Sequence, residues 1–390
     1  MTFQNSVAHA EPDRHEEGPG YQPRVLVLLG AGHAHVHVLD YLAAHPLIGV
    51  QVVLVTPYPR QMYSGMVPGF VAGHYALEDC VIPLEPLVRR SGVRWLQRSV
   101  KALDAGTQML QLDDGSTLHY DWLSVNTGSV QNREQMDEAV PGARTHGLFV
   151  RPIEAFGALW PRVAEMGSAR ALRIAVIGAG AGGIELAMAV RHRLPQSAVT
   201  LLTGNTAPAS SYPAKVQLRV LAALKKRRIT VLQDTATALT AQEVRLGCGA
   251  GLACDVALLA TGGQAPLWLA HSGLALDAQG FIAVDACQRS TSHPMVLAAG
   301  DVCTRTDRAL ARSGVYAVRA GPALARNLTA ITTGAELQPH IPPASTLNLL
   351  SCGERYAIAS WGHFGVQGRW VWWLKNWIDR RFLARYKETR

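Results

Sequence analysis

Residues 24–37, RVLVLLGAGHAHVH, decide how the chain is interpreted. An apolar, strand-like run leads into the turn Gly30-Ala31-Gly32, and a second apolar run with helical spacing follows. In a strand–turn–helix unit the first glycine permits a tight turn. The second lets main-chain N–H groups approach a pyrophosphate at the helix N-terminus. The stretch therefore predicts a dinucleotide-binding turn that opens a βαβ unit.

The three histidines after this turn, His33, His35 and His37, suggest a metal site as the alternative. On a helix, His33 and His37 share one face, but His35 points elsewhere, and a catalytic zinc normally takes three protein ligands. We therefore expect no metal. The fingerprint is incomplete, because His35 replaces its third glycine and Thr56 stands where an acid usually holds the adenine ribose.

A second turn of the same kind lies in residues 172–187, LRIAVIGAGAGGIELA. Its glycines Gly178, Gly180 and Gly183 complete the GxGxxG spacing, and Glu185 follows inside the predicted helix. The position that reads the ribose falls at Thr203, which is neither acidic nor basic, so NAD and NADP are not distinguished.

Each half of the chain then repeats one further feature, a buried strand that ends in a Thr-Gly pair. The pairs are Thr127-Gly128 and Thr261-Gly262. Two glycine turns and two such strand ends predict an α/β fold with two doubly wound, Rossmann-like domains.

Composition limits the other classes of function. The chain of 390 residues has a net charge of +8, and residues 368–390 hold seven basic and two acidic side chains, a local charge of +5. Positive charge concentrated at one end of the chain favours binding to an anionic surface over binding of nucleic acid in a groove.

The six cysteines show no CxxC spacing, and no signal peptide is seen, so we expect the protein to reside in a reducing cytoplasm. Residues 1–22 read as a disordered leader.

The C-terminal stretch contains five of the nine tryptophans. On a helical wheel Trp370, Trp373 and Trp377 share one side, and Lys375 and Asp379 lie on the other. Tryptophan interleaved with basic residues is typical of a helix lying in a membrane interface. Two other interpretations stay open, a helix packed on the body of the protein and a contact in a homodimer.

With the late pair Gly300-Asp301, the chain resembles the pyridine nucleotide-disulfide oxidoreductase superfamily. A closer resemblance rests on GAGHAHVHVL, MYSGMVPGFVAGHY, RPIEAF, STSHPMVLAAGD and SGVYAVRAGP, and it covers nearly the whole chain after the leader. It is to a bacterial branch in which some members are fused to selenide, water dikinase. That branch is similar to type II NADH dehydrogenases and more distantly to sulfide:quinone oxidoreductases.

The resemblance implies one FAD, a nicotinamide donor (NADH or NADPH) and a discontinuous FAD-binding domain. The implied domains are residues 23–150 with 276–338 for FAD, 151–275 for NAD(P), and a small α+β region at 339–390. The implied FAD-binding residues are Gly30, Gly32, His33, Ala34, Thr56, Thr127, Gly128, Gly300, Asp301, Val315 and Ala317. Those for NAD(P) are Gly178, Gly180, Gly183, Glu185, Thr203, Thr261 and Gly262.

The expected activity is hydride transfer from NAD(P)H through flavin to a small acceptor, preferably a quinone-like molecule met at the membrane. The protein would then be cytoplasmic, and peripheral on the inner face of the membrane if the helix binds lipid. Reduction of a selenium or sulfur compound is one alternative, and a non-enzymatic flavin-binding partner protein is another. Cys303 and Cys352 are weighed as a redox pair, with buried inert thiols as the commoner fate. The loop at residues 63–66 is either part of the flavin site or a surface loop.

Overall fold

The computed structural model describes residues 23–387. The leader predicted for residues 1–22 lies outside the described residues. The strands are β1 Arg24–Leu29, β2 Val50–Val55, β3 Arg60–Met62, β4 Val81–Pro83, β5 Arg94–Leu96, β6 Val100–Asp104, β7 Met109–Leu112, β8 Thr117–His119, β9 Trp122–Val125, β10 Gly147–Phe149, β11 Arg173–Ile177, β12 Ala198–Leu202, β13 Thr230–Leu232, β14 Ala236–Leu239, β15 Glu243–Leu246, β16 Gly251–Ala253, β17 Val256–Leu259, β18 Ile282–Val284, β19 Val296–Ala298, β20 Cys303–Arg305, β21 Leu347–Ser351, β22 Ala357–Trp361 and β23 Phe364–Gly368.

The helices connect these strands and cover the two larger sheets. They are α1 His33–Ala44, α2 Val67–Val71, α3 Leu84–Ser91, α4 Arg133–Ala139, α5 Ala143–His146, α6 Ile153–Ala169, α7 Ala181–Arg193, α8 Ala214–Lys226, α9 Gly314–Thr333 and α10 Arg369–Lys387. Single 3-10 turns occur at Ser64–Met66, Glu78–Cys80 and Leu267–Leu269.

The first large sheet is parallel throughout, in the order β19-β9-β1-β2-β5. Alternate residues of β1 bury on opposite faces. Leu26 and Leu28 pack towards the layer of α1, α3 and α9, and Val27 and Leu29 pack towards the antiparallel β6-β7-β8 sheet. Both faces are therefore covered, which explains why β1 is an unbroken apolar run in the sequence.

The second large sheet repeats this plan in the order β10-β17-β11-β12-β13, also parallel. Ile174 and Val176 pack towards α7 and α8, whereas Ala175 and Ile177 face the antiparallel β14-β15-β16 sheet. Strand β10 lies before the predicted domain boundary at residue 150, and it pairs with β17 in the second sheet and buries Phe149 there.

The remaining chain forms the predicted α+β region, an antiparallel β21-β22-β23 sheet followed by α10. The expected fold class, two doubly wound α/β units with a small C-terminal region, is confirmed. Within residues 23–387, no helix combines the length and apolarity needed to cross a membrane.

Candidate functional site

A cavity of about 620 Å³ opens at the carboxyl ends of the strands of the first sheet, beside the crossing into the second sheet. This edge is where open α/β sheets bind ligands. Eight of the eleven predicted FAD-binding residues line it: Gly30, Gly32, His33, Thr56, Thr127, Gly128, Asp301 and Ala317. Of the other three, Ala34 and Gly300 are adjacent to these residues in the chain, and Val315 follows Gly314, which also lines the cavity.

The first glycine turn is closed by Asn126, which the sequence analysis did not select. Its Oδ1 accepts hydrogen bonds from the main-chain N–H groups of Ala34 and His35, each at 3.1 Å, and its Nδ2 donates to Ala299 O at 2.5 Å. A Cβ at Gly30, where φ is +87°, would lie 2.7 Å from Asn126 O. Asn126 thus joins the N-terminus of α1 to the end of β19. Its position directly before Thr127-Gly128 was the available signal.

The imidazole of His35 completes this turn. Its Nδ1 lies 2.6 Å from Gly30 O, and its Nε2 lies 2.7 Å from the Ser124 hydroxyl. Burial lowers the pKa of His35 to about 4, against the opposing effect of the Gly30 carbonyl, so the ring is neutral near pH 7. A hydrogen-bonded histidine therefore occupies the place of the third glycine.

The neighbouring histidines have different surroundings. His37 lies against Gly321 of α9, with its Nδ1 3.4 Å from the Tyr386 hydroxyl. His33 meets the ring of Tyr63, and its Nε2 is buried without a hydrogen-bond partner among residues 23–387. In this described part of the chain, no group of three His, Cys, Asp or Glu side chains is arranged to hold a metal ion.

Asp301 and Arg151 both line the cavity, and Arg151 Nη2 lies 3.7 Å from Asp301 Oδ2. Burial raises the pKa of the Asp301 carboxyl, and the charge of Arg151 opposes this shift. Arg151 Nη1 also donates to Ser129 O at 3.3 Å. Arg151 begins the sequence RPIEAF but was not predicted as a site residue, because only the fold brings it to Asp301.

The N-terminus of α9 also reaches the cavity, which Ser313, Gly314 and Ala317 line. The Ser313 hydroxyl is buried and has no hydrogen-bond partner among the described residues. Free N–H groups and the helix dipole favour negative charge at such an end. A glycine cradle, an inward carboxylate, a free hydroxyl and two helix N-termini along one cavity fit a dinucleotide flavin.

The second glycine turn is also close-packed, but in a different way. A Cβ at Gly178 would overlap Ala260 O, and one at Gly183 would overlap Gly178 O. Nothing lies within 4 Å of a Cβ built at Gly180 or Gly262. The middle of this turn is therefore open, as the approach of a pyrophosphate requires.

Of the other residues predicted for the second nucleotide, Thr203 and Thr261 lie just beyond the carboxyl ends of β12 and β17, whereas Glu185 lies within α7. Thr203 donates its N–H to Leu232 O at 2.9 Å, and the Thr261 hydroxyl accepts from Gln131 Nε2 at 3.1 Å. Glu185 is turned towards the C-terminal sheet, because its Oε1 accepts from the Ser351 N–H at 2.7 Å. Burial raises the pKa of Glu185 to about 7, with Lys375 acting against the shift.

The six cysteines are all free thiols. Cys303 lies 3.4 Å from Gly300 O, and Cys352 lies 3.8 Å from Leu350 O. Burial raises the pKa of each thiol to about 12. Because the thiolate is the reactive form, neither is activated for redox chemistry.

Comparison with known proteins identifies the family. A sequence model described as pyridine nucleotide-disulphide oxidoreductase matches residues 24–327. An alternative NAD(P)H-ubiquinone oxidoreductase of Arabidopsis thaliana is 26% identical over 332 residues, which cover 73% of this chain and 62% of that protein. Demethylphylloquinone reductase NdbB of Synechocystis is 25% identical, over 58% of this chain and 57% of its own. The matched part is thus less than two thirds of either relative.

Among solved structures, NDH2 from Plasmodium falciparum in complex with NADH superimposes with a TM-score of 0.78 at 12% identity, covering 94% of this chain and 98% of that one. Members of the matched family bind FAD and NAD(P)H, the cofactors expected from the sequence. The chain belongs to the pyridine nucleotide-disulphide oxidoreductase family.

Proposed function

We propose that this protein is an FAD-dependent oxidoreductase that passes hydride from NADH or NADPH through the flavin to a quinone-like acceptor. One observation carries the proposal: the 620 Å³ cavity is lined by eight of the residues that the sequence selected for FAD. When bound, FAD supplies the redox chemistry, and the protein supplies binding, orientation and exclusion of water.

The roles of the chain's own groups follow from their chemistry. Asn126 fixes the N-terminus of α1 by accepting from the Ala34 and His35 N–H groups, and the N–H groups after Gly30 and Gly32 would bind the pyrophosphate of FAD there. Asp301 would accept hydrogen bonds from sugar hydroxyls, with Arg151 balancing its charge. The N-terminus of α9, which lines the cavity, would stabilise negative charge on a flavin bound there. In the second turn, the open space at Gly180 admits the nicotinamide nucleotide.

We assign residues 23–146 with 276–338 to the FAD domain, 147–275 to the NAD(P) domain and 339–390 to the C-terminal region. The crossing between the first two supports this division. Val130 and Gln264 form a bridge, and Gln131 Nε2 donates to Leu259 O at 2.8 Å while its Oε1 accepts from the Arg151 N–H at 2.9 Å. Gln131 thereby links the edges of the two large sheets at which the two nucleotides are proposed to bind.

A quinone-like acceptor at a membrane surface is supported by α10 and the adjacent hairpin. Trp370, Trp373 and Trp377 are 59%, 50% and 57% exposed, and Phe364 at the hairpin is 78% exposed. These apolar side chains stand among the basic residues of a tail whose net charge is +5. A tryptophan-rich surface with a basic rim fits an anionic lipid bilayer. We infer a cytoplasmic protein, peripheral on the inner face of the membrane.

Steady-state oxidation of NADH and NADPH by FAD-loaded protein tests the function. We expect rapid turnover with a short-chain quinone and little with selenium or sulfur compounds. The reverse order would favour the selenium or sulfur reductase, which rests on the resemblance to proteins fused to selenide, water dikinase. Bound FAD with negligible oxidation under every acceptor would favour a non-enzymatic partner protein.

Sedimentation with vesicles tests the membrane contact. We expect binding to phosphatidylglycerol vesicles and none to phosphatidylcholine vesicles at the same salt. Replacing both Trp373 and Trp377 by Gln should abolish binding, whereas Leu218→Gln, which changes another exposed apolar residue (67% exposed), should not. Retained binding in the double variant contradicts the proposal. A concentration-dependent dimer lost in the double variant would assign the surface to a second copy of the chain.

A further inference from the structure

Helix α10 packs on the body of the protein through a face that combines apolar and aromatic side chains with two charged ones, Lys375 and Asp379. Lys375 and Asp379 are 8% and 4% exposed, whereas Trp370, Trp373 and Trp377 of the same helix face outwards. The two charges form an i, i+4 ion pair with Nζ 2.7 Å from Oδ2. A buried ion pair is costly to desolvate unless further hydrogen bonds satisfy it. The further hydrogen-bond partners of this ion pair therefore indicate which part of the structure it supports.

The ion pair contacts the loop at residues 63–66. Lys375 Nζ donates to Gly65 O at 2.7 Å, and burial together with the nearby charge of Asp379 raises the pKa of the Tyr63 hydroxyl. Between Tyr63 and Gly65 lies Ser64, which lines the cavity, as Met62 does. The Ser64 hydroxyl lies 3.2 Å from a Cβ built at Gly314, the first residue of α9. The loop is therefore part of the cavity wall and not a surface loop.

A second contact joins α10 to the first glycine turn. The ring of Tyr63 stacks on Phe382 of α10 with centroids 4.7 Å apart, and it meets His33 edge-on at 5.3 Å. His33 is the first residue of α1 and lines the cavity. A Cβ at Gly65 would lie 2.9 Å from the Tyr63 ring, so this glycine allows the loop to fold closely on itself. The helix thus supports the cavity wall at two adjoining points.

We propose that Lys375 is a positioning residue of the flavin site: with Asp379, it fixes the loop at residues 63–66 as a wall of the cavity, so that α10 is an integral part of that site. The inference rests on the proposed binding of FAD in this cavity. It goes beyond that function because α10 lies outside residues 24–327, the part that the family model matches. It also gives the inner face of the helix a role separate from lipid contact.

The test compares full-length, FAD-loaded protein with the variant Lys375→Met. The matched control is Lys387→Met, since Lys387 is on the same helix and also donates to a main-chain carbonyl, Glu78 O at 2.7 Å, but is exposed. Losing a hydrogen bond from a charged donor should weaken FAD binding about tenfold in Lys375→Met. The visible circular dichroism of bound FAD should change with it, and Lys387→Met should match the wild type in both.

Lys375→Met leaves the Asp379 carboxylate buried without its partner, so the variant Lys375→Met/Asp379→Asn removes both charges. It should recover the melting temperature of the wild type while its FAD affinity and dichroism stay altered. Wild-type affinity and dichroism in this stable double variant would overturn the inference and leave the proposed function intact. A wild-type protein that binds no FAD would overturn both.

Discussion

The two glycine turns share one backbone plan and differ in how the third position of the fingerprint is filled. In the second turn, Gly183 lies so close to Gly178 O that a Cβ would overlap it. In the first turn the equivalent residue is His35, which reaches Gly30 O through a hydrogen bond of 2.6 Å. The position requires contact between the helix and the carbonyl of the turn, and either close approach or a neutral imidazole supplies it.

The second position differs as well. A Cβ at Gly32 would overlap Asn126 Oδ1, whereas a Cβ at Gly180 would have nothing within 4 Å. At this position the first turn packs against the Asn126 side chain, whereas the second turn is open towards its proposed ligand. The same glycine thus admits a side chain of the fold in one turn and leaves free space in the other.

Gly183→Ala should have the largest effect. The added Cβ meets the backbone at Gly178 O, which cannot move away as a flexible side chain could. We expect a loss of about 3 kcal/mol in the free energy of unfolding of the domain that contains the second large sheet. Urea unfolding monitored with and without NADH measures it. An unchanged midpoint would mean that α7 is not held against the turn.

Acid should destabilise the first turn. The folded pKa of His35 is lowered to about 4 from 6.5, so the folded state binds fewer protons than the unfolded state between these values. The stability contributed by neutral His35 is complete above about pH 6.5 and is lost as the pH falls towards 4, by up to about 3 kcal/mol.

Burial shifts the pKa of His33 and His37 in the same direction. Melting temperatures from pH 8 to pH 4 measure the combined effect. His35→Gln should give a shallower dependence than the wild type. An identical pH dependence in this variant would contradict a neutral, buried His35.

His35→Gly restores the complete fingerprint in the first turn, yet it should destabilise the protein by about 2 kcal/mol. The change removes the hydrogen-bond partner of Gly30 O and the Ser124 hydroxyl and leaves a cavity beneath the turn. Thermal unfolding without FAD measures this. Equal or higher stability would show that the imidazole is a tolerated departure and not a working part of the turn.

Glu185→Gln should stabilise the protein at neutral and alkaline pH but not at acid pH. Burial raises the pKa of Glu185 to about 7, so stability is lost as the pH rises from about 4.5 through 7, opposite in sign to the histidines. The Gln amide oxygen can still accept from the Ser351 N–H. We expect a gain of about 1 kcal/mol at pH 8 and none at pH 5. A less stable variant at pH 8 would mean that Lys375 requires the Glu185 charge.

Gly180→Ala should have the smallest effect on stability, within about 0.5 kcal/mol, because the new Cβ enters open space. The same Cβ stands where a pyrophosphate approaches, so NADH affinity should fall about tenfold or more. Calorimetric titration of FAD-loaded protein measures it. Unchanged NADH affinity would remove this turn from the nucleotide site.

The fold class is predictable because consecutive residues encode each βαβ unit, as an apolar run, a glycine turn and a helical pattern. The grouping of eight residues around one cavity follows from that order. Asn126 and Arg151 were missed because they act across long separations: Asn126 contacts residues 91 and 92 positions away, and Arg151 reaches Asp301 only through the fold.

The C-terminal helix was the least predictable part. Its helical wheel separates Trp373 and Trp377 from Lys375 and Asp379, but it cannot say which side is buried. Hydrophobicity alone would bury the tryptophans. The structure buries the ion pair beside Trp372, and Gly65 O, 310 residues away from Lys375, accepts a hydrogen bond from the Lys375 ammonium group there.

Anaerobic titration of FAD-loaded protein with NADH and then NADPH tests the proposed function at its first chemical step. The visible absorbance band of the bound flavin should bleach with a stoichiometric amount of one nucleotide, and Gly180→Ala should require more nucleotide for the same loss. A flavin that stays bound and oxidised with both nucleotides would contradict hydride transfer from NAD(P)H at the second turn to the flavin at the first.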